Sequence, residues 1–190
     1  MNYMKHFLVL FFDKPAREFL NFAAKRLYAD YCPGVPLPEI EHHLTLQYFQ
    51  CEEQHYPELI EETTKILPDF LPLKIKLFGI HEYVNEMNDF CCLSLLAEKN
   101  GPLLKLHQQL TGQIDRFHLH HEPSDDWPPH ITCFPGQTLA QRPKAWNKDA
   151  GHHIAVSAPQ LSAVELRLTR WNGTEIETVH NFNRIFNQAP

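Results

Sequence analysis

Two short segments share a pattern of histidine, apolar residue, threonine and apolar residue: His43-Leu44-Thr45-Leu46 and His130-Ile131-Thr132-Cys133. Side chains alternate along a strand, so the histidine and threonine of each segment share one face while the apolar pair turns to the core. Two such strands side by side would gather two imidazoles and two hydroxyls around one cavity. That set suits attack at phosphorus, where one imidazole takes a proton from the nucleophile and another gives one to the leaving oxygen. An unperturbed imidazole titrates near pH ~6.5, so two of them can hold opposite protonation states close to neutrality. The threonine hydroxyls can donate to the non-bridging phosphoryl oxygens. Candidate catalytic residues are therefore His43, Thr45, His130 and Thr132, in a scheme that calls for no metal and no cofactor. His42 adjoins His43 but projects from the other side of the strand.

Several further groups invite chemistry. His118, His120 and His121, with Glu122, Asp125 and Asp126, form a polar cluster within reach of a divalent metal, which would make the chain a metal-dependent hydrolase. Their spacing matches no closed four-ligand site, and a solvated loop accounts for them. His152-His153 is similarly ambiguous. Tyr48, Trp127 and Trp171 have rings able to stack a base, although such rings more often pack in a core. Lys74, Lys76, Arg167 and Arg170 would neutralise phosphate or simply line a solvated strand face.

The elements that must position these residues follow from periodicity. Tyr3 to Phe12 reads as a strand, followed by a helix capped by Asp13, with Phe19, Leu20, Ala23, Leu27 and Tyr31 as its apolar stripe. The pattern then predicts a strand over His43 to Phe49, a helix over Tyr56 to Leu67 and a strand over Leu71 to Ile80. A polar connection, Glu82 to Asp89, joins the last of these to an antiparallel neighbour, Phe90 to Leu96. A third helix starts at Asn100 and buries Leu103, Leu106, Leu110 and Ile114. His118 to Pro129 reads as a surface loop into a strand at His130 to Phe134. A helix is expected over Thr138 to Trp146, then strands Leu161 to Trp171 and Glu175 to Phe182 about an Asn172-Gly173 hairpin turn. The order looks like two similar halves, and the hairpins imply an α+β fold dominated by antiparallel sheet.

Composition sets the bounds. The chain has 190 residues, 43% hydrophobic and 21% charged, close to the globular average, which predicts one soluble domain over 1–190. A net charge of −6 argues against a broad grip on duplex DNA but allows a small phosphorylated substrate or one RNA end. Five cysteines, odd in number and without a C-x-x-C pair, read as reduced cytosolic thiols. The apolar run Phe7 to Phe12 is too short to span a membrane and reads as a buried first strand; the expected protein is a cytoplasmic monomer.

The paired tetrads, about ninety residues apart, resemble the 2H phosphoesterase superfamily and in particular its LigT-like, RNA cyclic phosphodiesterase branch. The likeness also covers the opening strand and helix, the Pro129-His130-Ile131-Thr132 segment and the closing hairpin. Two segments depart from the pattern: Phe134-Pro135-Gly136 stands where many relatives carry an arginine, and Gln47-Tyr48-Phe49-Gln50 replaces the usual Phe-Leu-Gly. The resemblance implies two pseudo-symmetric lobes of β-α-β-α-β units around a central cleft. It also implies action on 2′,3′-cyclic phosphates of nucleotides or RNA ends, with 2′-5′ RNA ligation or 2′-5′ oligonucleotide cleavage as alternatives. A module that binds a nucleotide or RNA end without turnover is a further alternative, disfavoured because affinity alone has no use for two proton-transfer groups.

Overall fold

Alternation and capping account for most elements of the computed structural model, which describes residues 5–31, 37, 39–121, 127–133, 148–171 and 176–182. Strand β1 (Lys5–Phe12) buries Leu8, Leu10 and Phe12 on one face. The Asp13 carboxylate then accepts the Ala16 N–H at 3.0 Å and starts helix α1 (Lys14–Tyr31), whose Leu20, Ala23, Leu27 and Tyr31 are buried as the stripe requires. Strand β2 (His43–Gln50) and helix α2 (Tyr56–Ile66) follow. Helix α3 (Gly101–Arg116) begins at Asn100, whose side chain accepts from the Leu103 N–H at 2.9 Å, and its four predicted core leucine and isoleucine positions are fully buried.

The expected strand over Leu71 to Ile80 is two strands, β3 (Leu73–Ile75) and β4 (Leu77–Asn85), parted by Lys76. Leu73, Ile75 and Leu77 keep an unbroken period of two and are all buried, so the alternation hides a change of partner. β4 also runs five residues past Ile80, which confines the polar turn to residues 86–89. β5 (Phe90–Ala97) and β6 (His130–Thr132) follow, then helix α4 (Lys148–Val156), which the sequence did not announce. The expected helix over Thr138 to Trp146 lies outside the described residues, as do Phe134 and the Asn172-Gly173 turn. Strands β7 (Leu161–Trp171) and β8 (Ile176–Asn181) nonetheless pair antiparallel as a hairpin should.

All described pairings are antiparallel, in the order β3-β7-β1-β2-β6-β5-β4, with β8 on β7. This is the α+β, mainly antiparallel class expected. β3 and β4 stand at opposite ends of that order although one residue separates them in the chain, so the sheet must curve until its ends approach each other at Lys76. Helices α1 and α3 contribute their apolar stripes to a core with Leu8, Leu10 and Leu44. Val9, Phe11, His43 and Thr45 point to the other face.

Candidate active site

The two tetrads become neighbours because β2 pairs with β6 through Leu44 and Ile131, both fully buried. In an antiparallel pair that register sets His43 opposite Thr132 and Thr45 opposite His130. The four side chains thus form a square on one face, with each histidine diagonal to the other. All four are partly exposed, while the residues between them are sealed in the core.

Both imidazoles are held by the same local device. His43 Nδ1–H donates to the Glu41 carbonyl at 3.0 Å, and His130 Nδ1–H donates to the Pro128 carbonyl at 2.8 Å, each acceptor lying two residues earlier. A carbonyl can only accept, so Nδ1 carries the hydrogen and Nε2 of each ring is the atom left to exchange protons. Burial pushes the His43 imidazole below its ordinary value. The Glu41 carbonyl and carboxylate oppose that push, and the nearby His130 and Arg167 add to it.

Around this square the sheet supplies further groups. Ser94 of β5 lies opposite Thr132, and His81 of β4 lies opposite Ser94, which extends the His43–Thr132 row by two strands. A pocket of about 670 Å³ opens there, lined by His81, Tyr83, Cys92, Ser94, Leu96 and Pro128 together with His130 and Thr132. Reading β4 as ending at Ile80 concealed His81 and Tyr83; their alternation, one residue apart, was the available signal. On the other side Arg167 sits over the Phe11 ring at 3.9 Å and bonds the carboxylates of Glu41, at 3.0 Å, and Glu165. Those two acids compensate its charge. Arg170 is likewise paired, with Glu53 and Glu177, and Lys76 with Glu98.

The remaining candidates separate cleanly. His42 is 5% exposed and its Nδ1–H donates to the Thr132 carbonyl at 3.1 Å, so it ties β6 to β2 from the core side. Trp127 is partly buried; its indole N–H donates to the Thr45 carbonyl at 3.2 Å and its ring stacks on His107 at 4.0 Å. His107 Nδ1–H in turn donates to the Leu46 carbonyl at 2.8 Å. These two rings strut the β2 backbone within the first tetrad, and neither was singled out for that task by sequence.

His118 and His120 line a different pocket, of about 430 Å³, with Gln50 and His55. It lies at the far end of β2, roughly 20 Å along the strand from His43 at about 3.3 Å per residue. His121 bonds Asp115 at 2.7 Å. Glu122, Asp125 and Asp126 lie outside the described residues, and among the described residues no three ligating side chains are grouped to hold a metal. Cys51, Cys91, Cys92 and Cys133 are buried free thiols. No helix among the described residues is long and apolar enough to cross a membrane.

Comparison with known proteins agrees with this architecture. The family model of the 2′-5′ RNA ligase superfamily matches residues 14–175. The fold is similar to that of TT0787 of Thermus thermophilus (TM-score 0.65, 18% identity, covering 94% of this chain and 97% of that one). It is also similar to Escherichia coli LigT complexed with 3′-AMP (TM-score 0.55, 15% identity, 95% and 97% covered). Kluyveromyces marxianus Usb1 with uridine monophosphate is a third likeness (TM-score 0.51, 14% identity, 92% and 97% covered). No curated protein matches the sequence.

Proposed function

The chain belongs to the 2′-5′ RNA ligase superfamily, among the 2H phosphoesterases, and on that footing we propose that it opens 2′,3′-cyclic phosphates of nucleotides or RNA ends by water attack, without a metal. The observation that carries this reading is the antiparallel register that sets His43 beside Thr132 and Thr45 beside His130, with each ring anchored through Nδ1. One Nε2 takes a proton from water as its oxygen bonds to phosphorus. The other gives a proton to the ribose oxygen as the P–O bond breaks, so one water is consumed and a phosphomonoester is left. Thr45 and Thr132 donate to the non-bridging oxygens, where negative charge develops.

Nucleotide binding is supported by the pocket beside His130, which combines the apolar walls Tyr83, Leu96 and Pro128 with the polar groups His81 and Ser94. LigT and Usb1 have been crystallised with 3′-AMP and uridine monophosphate, ligands of the class proposed for this chain. Incubation with the four nucleoside 2′,3′-cyclic phosphates, with products separated by chromatography, tests the reaction. Ring-opened monophosphate is the expected product; complete recovery of every cyclic substrate, and of cyclic-phosphate RNA ends, would refute it.

A further inference from the structure

The face that carries the tetrads continues past them, away from the pocket at His81 and Tyr83. On β1 it presents Val9 opposite Thr45 and Arg167, Phe7 opposite Tyr48 and Thr169, and Lys5 opposite Trp171. A bulge makes this possible. Leu8 pairs with Gln47 and Val9 with Thr45, so Leu46 is one residue in excess on β2. Without it, Tyr48 would point to the core with Leu44. With it, Gln47 and Phe49 turn inward and Tyr48 joins His43 and Thr45.

The re-aimed ring stands in a stripe. Tyr48 leans on Phe7 with ring centroids 5.3 Å apart, and the Lys5 ammonium lies 5.7 Å from the Tyr48 ring. Trp171 is 39% exposed, and its cross-strand neighbour Ile176 is 50% exposed. Aromatic surface interleaved with an ammonium, contiguous with a phosphate-directed centre, is the composition of a single-strand platform. Val9 is buried, and from Phe7 to Lys5 the accessible stripe runs roughly 7 Å at about 3.3 Å per residue, room for about two stacked bases.

We infer that this stripe, Phe7, Tyr48, Lys5 and Trp171, is a track for single-stranded RNA leading away from the two histidines. The inference rests on the proposed function and narrows it: the substrate is an oligonucleotide whose chain beyond the reacting phosphate stacks on β1, β2 and β7. The bulge that turns Gln47 and Phe49 into the core places the Tyr48 ring on the histidines' face, where this role uses it.

The test compares cytidine 2′,3′-cyclic phosphate with an RNA hexamer ending in a 2′,3′-cyclic phosphate. Wild type is set beside Tyr48→Leu, which keeps apolar bulk over Phe7, and beside Trp171→Ala and Lys5→Glu. The hexamer should exceed the mononucleotide in kcat/KM by about tenfold or more, through KM. Each ring variant should lose about five- to a hundredfold more on the hexamer than on the mononucleotide, the worth of one stacked base. Equal kcat/KM for both substrates, or equal losses on both, overturns the track. If neither substrate turns over, the functional reading fails, and anisotropy of a labelled, unreactive RNA hexamer decides the track alone. A fivefold or greater loss of hexamer affinity in the ring variants upholds it, and unchanged affinity in all three variants overturns it.

Discussion

Four side chains and two backbone carbonyls make up the proposed reacting centre, and each has a separable task. His43→Ala and His130→Ala should each lower turnover by about 10²–10⁴-fold, the usual worth of a general acid or base. Together they should be little worse than the poorer single variant, because the two rings act in one step. Thr45→Val and Thr132→Val keep shape and remove a donor, at roughly 10–10³-fold each. Steady-state kinetics with circular dichroism to confirm folding reads all of these. The residue types and spacing of the tetrads were open to inspection in the sequence, and so was the separate fate of His42, which alternation sends to the core. The Glu41 and Pro128 carbonyls were not, because a backbone acceptor two residues upstream carries no residue identity.

At the scale of elements, local rules held where one segment settles its own conformation. Asn100 as cap and the 103, 106, 110, 114 stripe belong to such a segment, and Asn100→Ala should cost about 0.5–2 kcal/mol in urea unfolding. The same helix ends on His118, which adopts φ 53° while the Leu119 N–H reaches back to the Ile114 carbonyl at 3.1 Å. Glycine tolerates that conformation without a Cβ penalty, so His118→Gly should raise stability by about 0.5–1 kcal/mol, and a loss would contradict this account of the helix end. Local rules failed where partners lie far away in sequence. Leu73, Ile75 and Leu77 alternate without a break although β3 pairs with β7 and β4 with β5. The Leu46 bulge is defined only against β1. Neither fact is encoded in a window of eleven residues.

On the scale of the whole molecule, the Leu44 and Ile131 pair joins the two tetrad segments, and buried His42 and His107 bond the backbone of those segments. Burial pushes His42, His43, His107 and His180 below the ordinary imidazole value, and the Nε2 atoms of His42, His107 and His180 have no hydrogen-bond partner among the described residues. The unfolded chain therefore binds more protons than the folded one in acid. Stability should be level above about pH 6.5 and should fall from there as pH drops toward the lower folded values. Urea midpoints at pH 7.5 and 5.5 measure it, and His107→Gln should shrink the difference; equal midpoints in the wild type would contradict the buried neutral histidines. In the proposed reaction side chains alone supply the acid, the base and the phosphoryl donors. The most direct measurement is turnover of a 2′,3′-cyclic nucleotide in excess EDTA by wild type, His43→Ala and His130→Ala. Wild type should keep full activity with chelator, and both variants should lose it. Metal-reversible loss in the wild type, or near-full turnover in both variants, would contradict the proposed reaction.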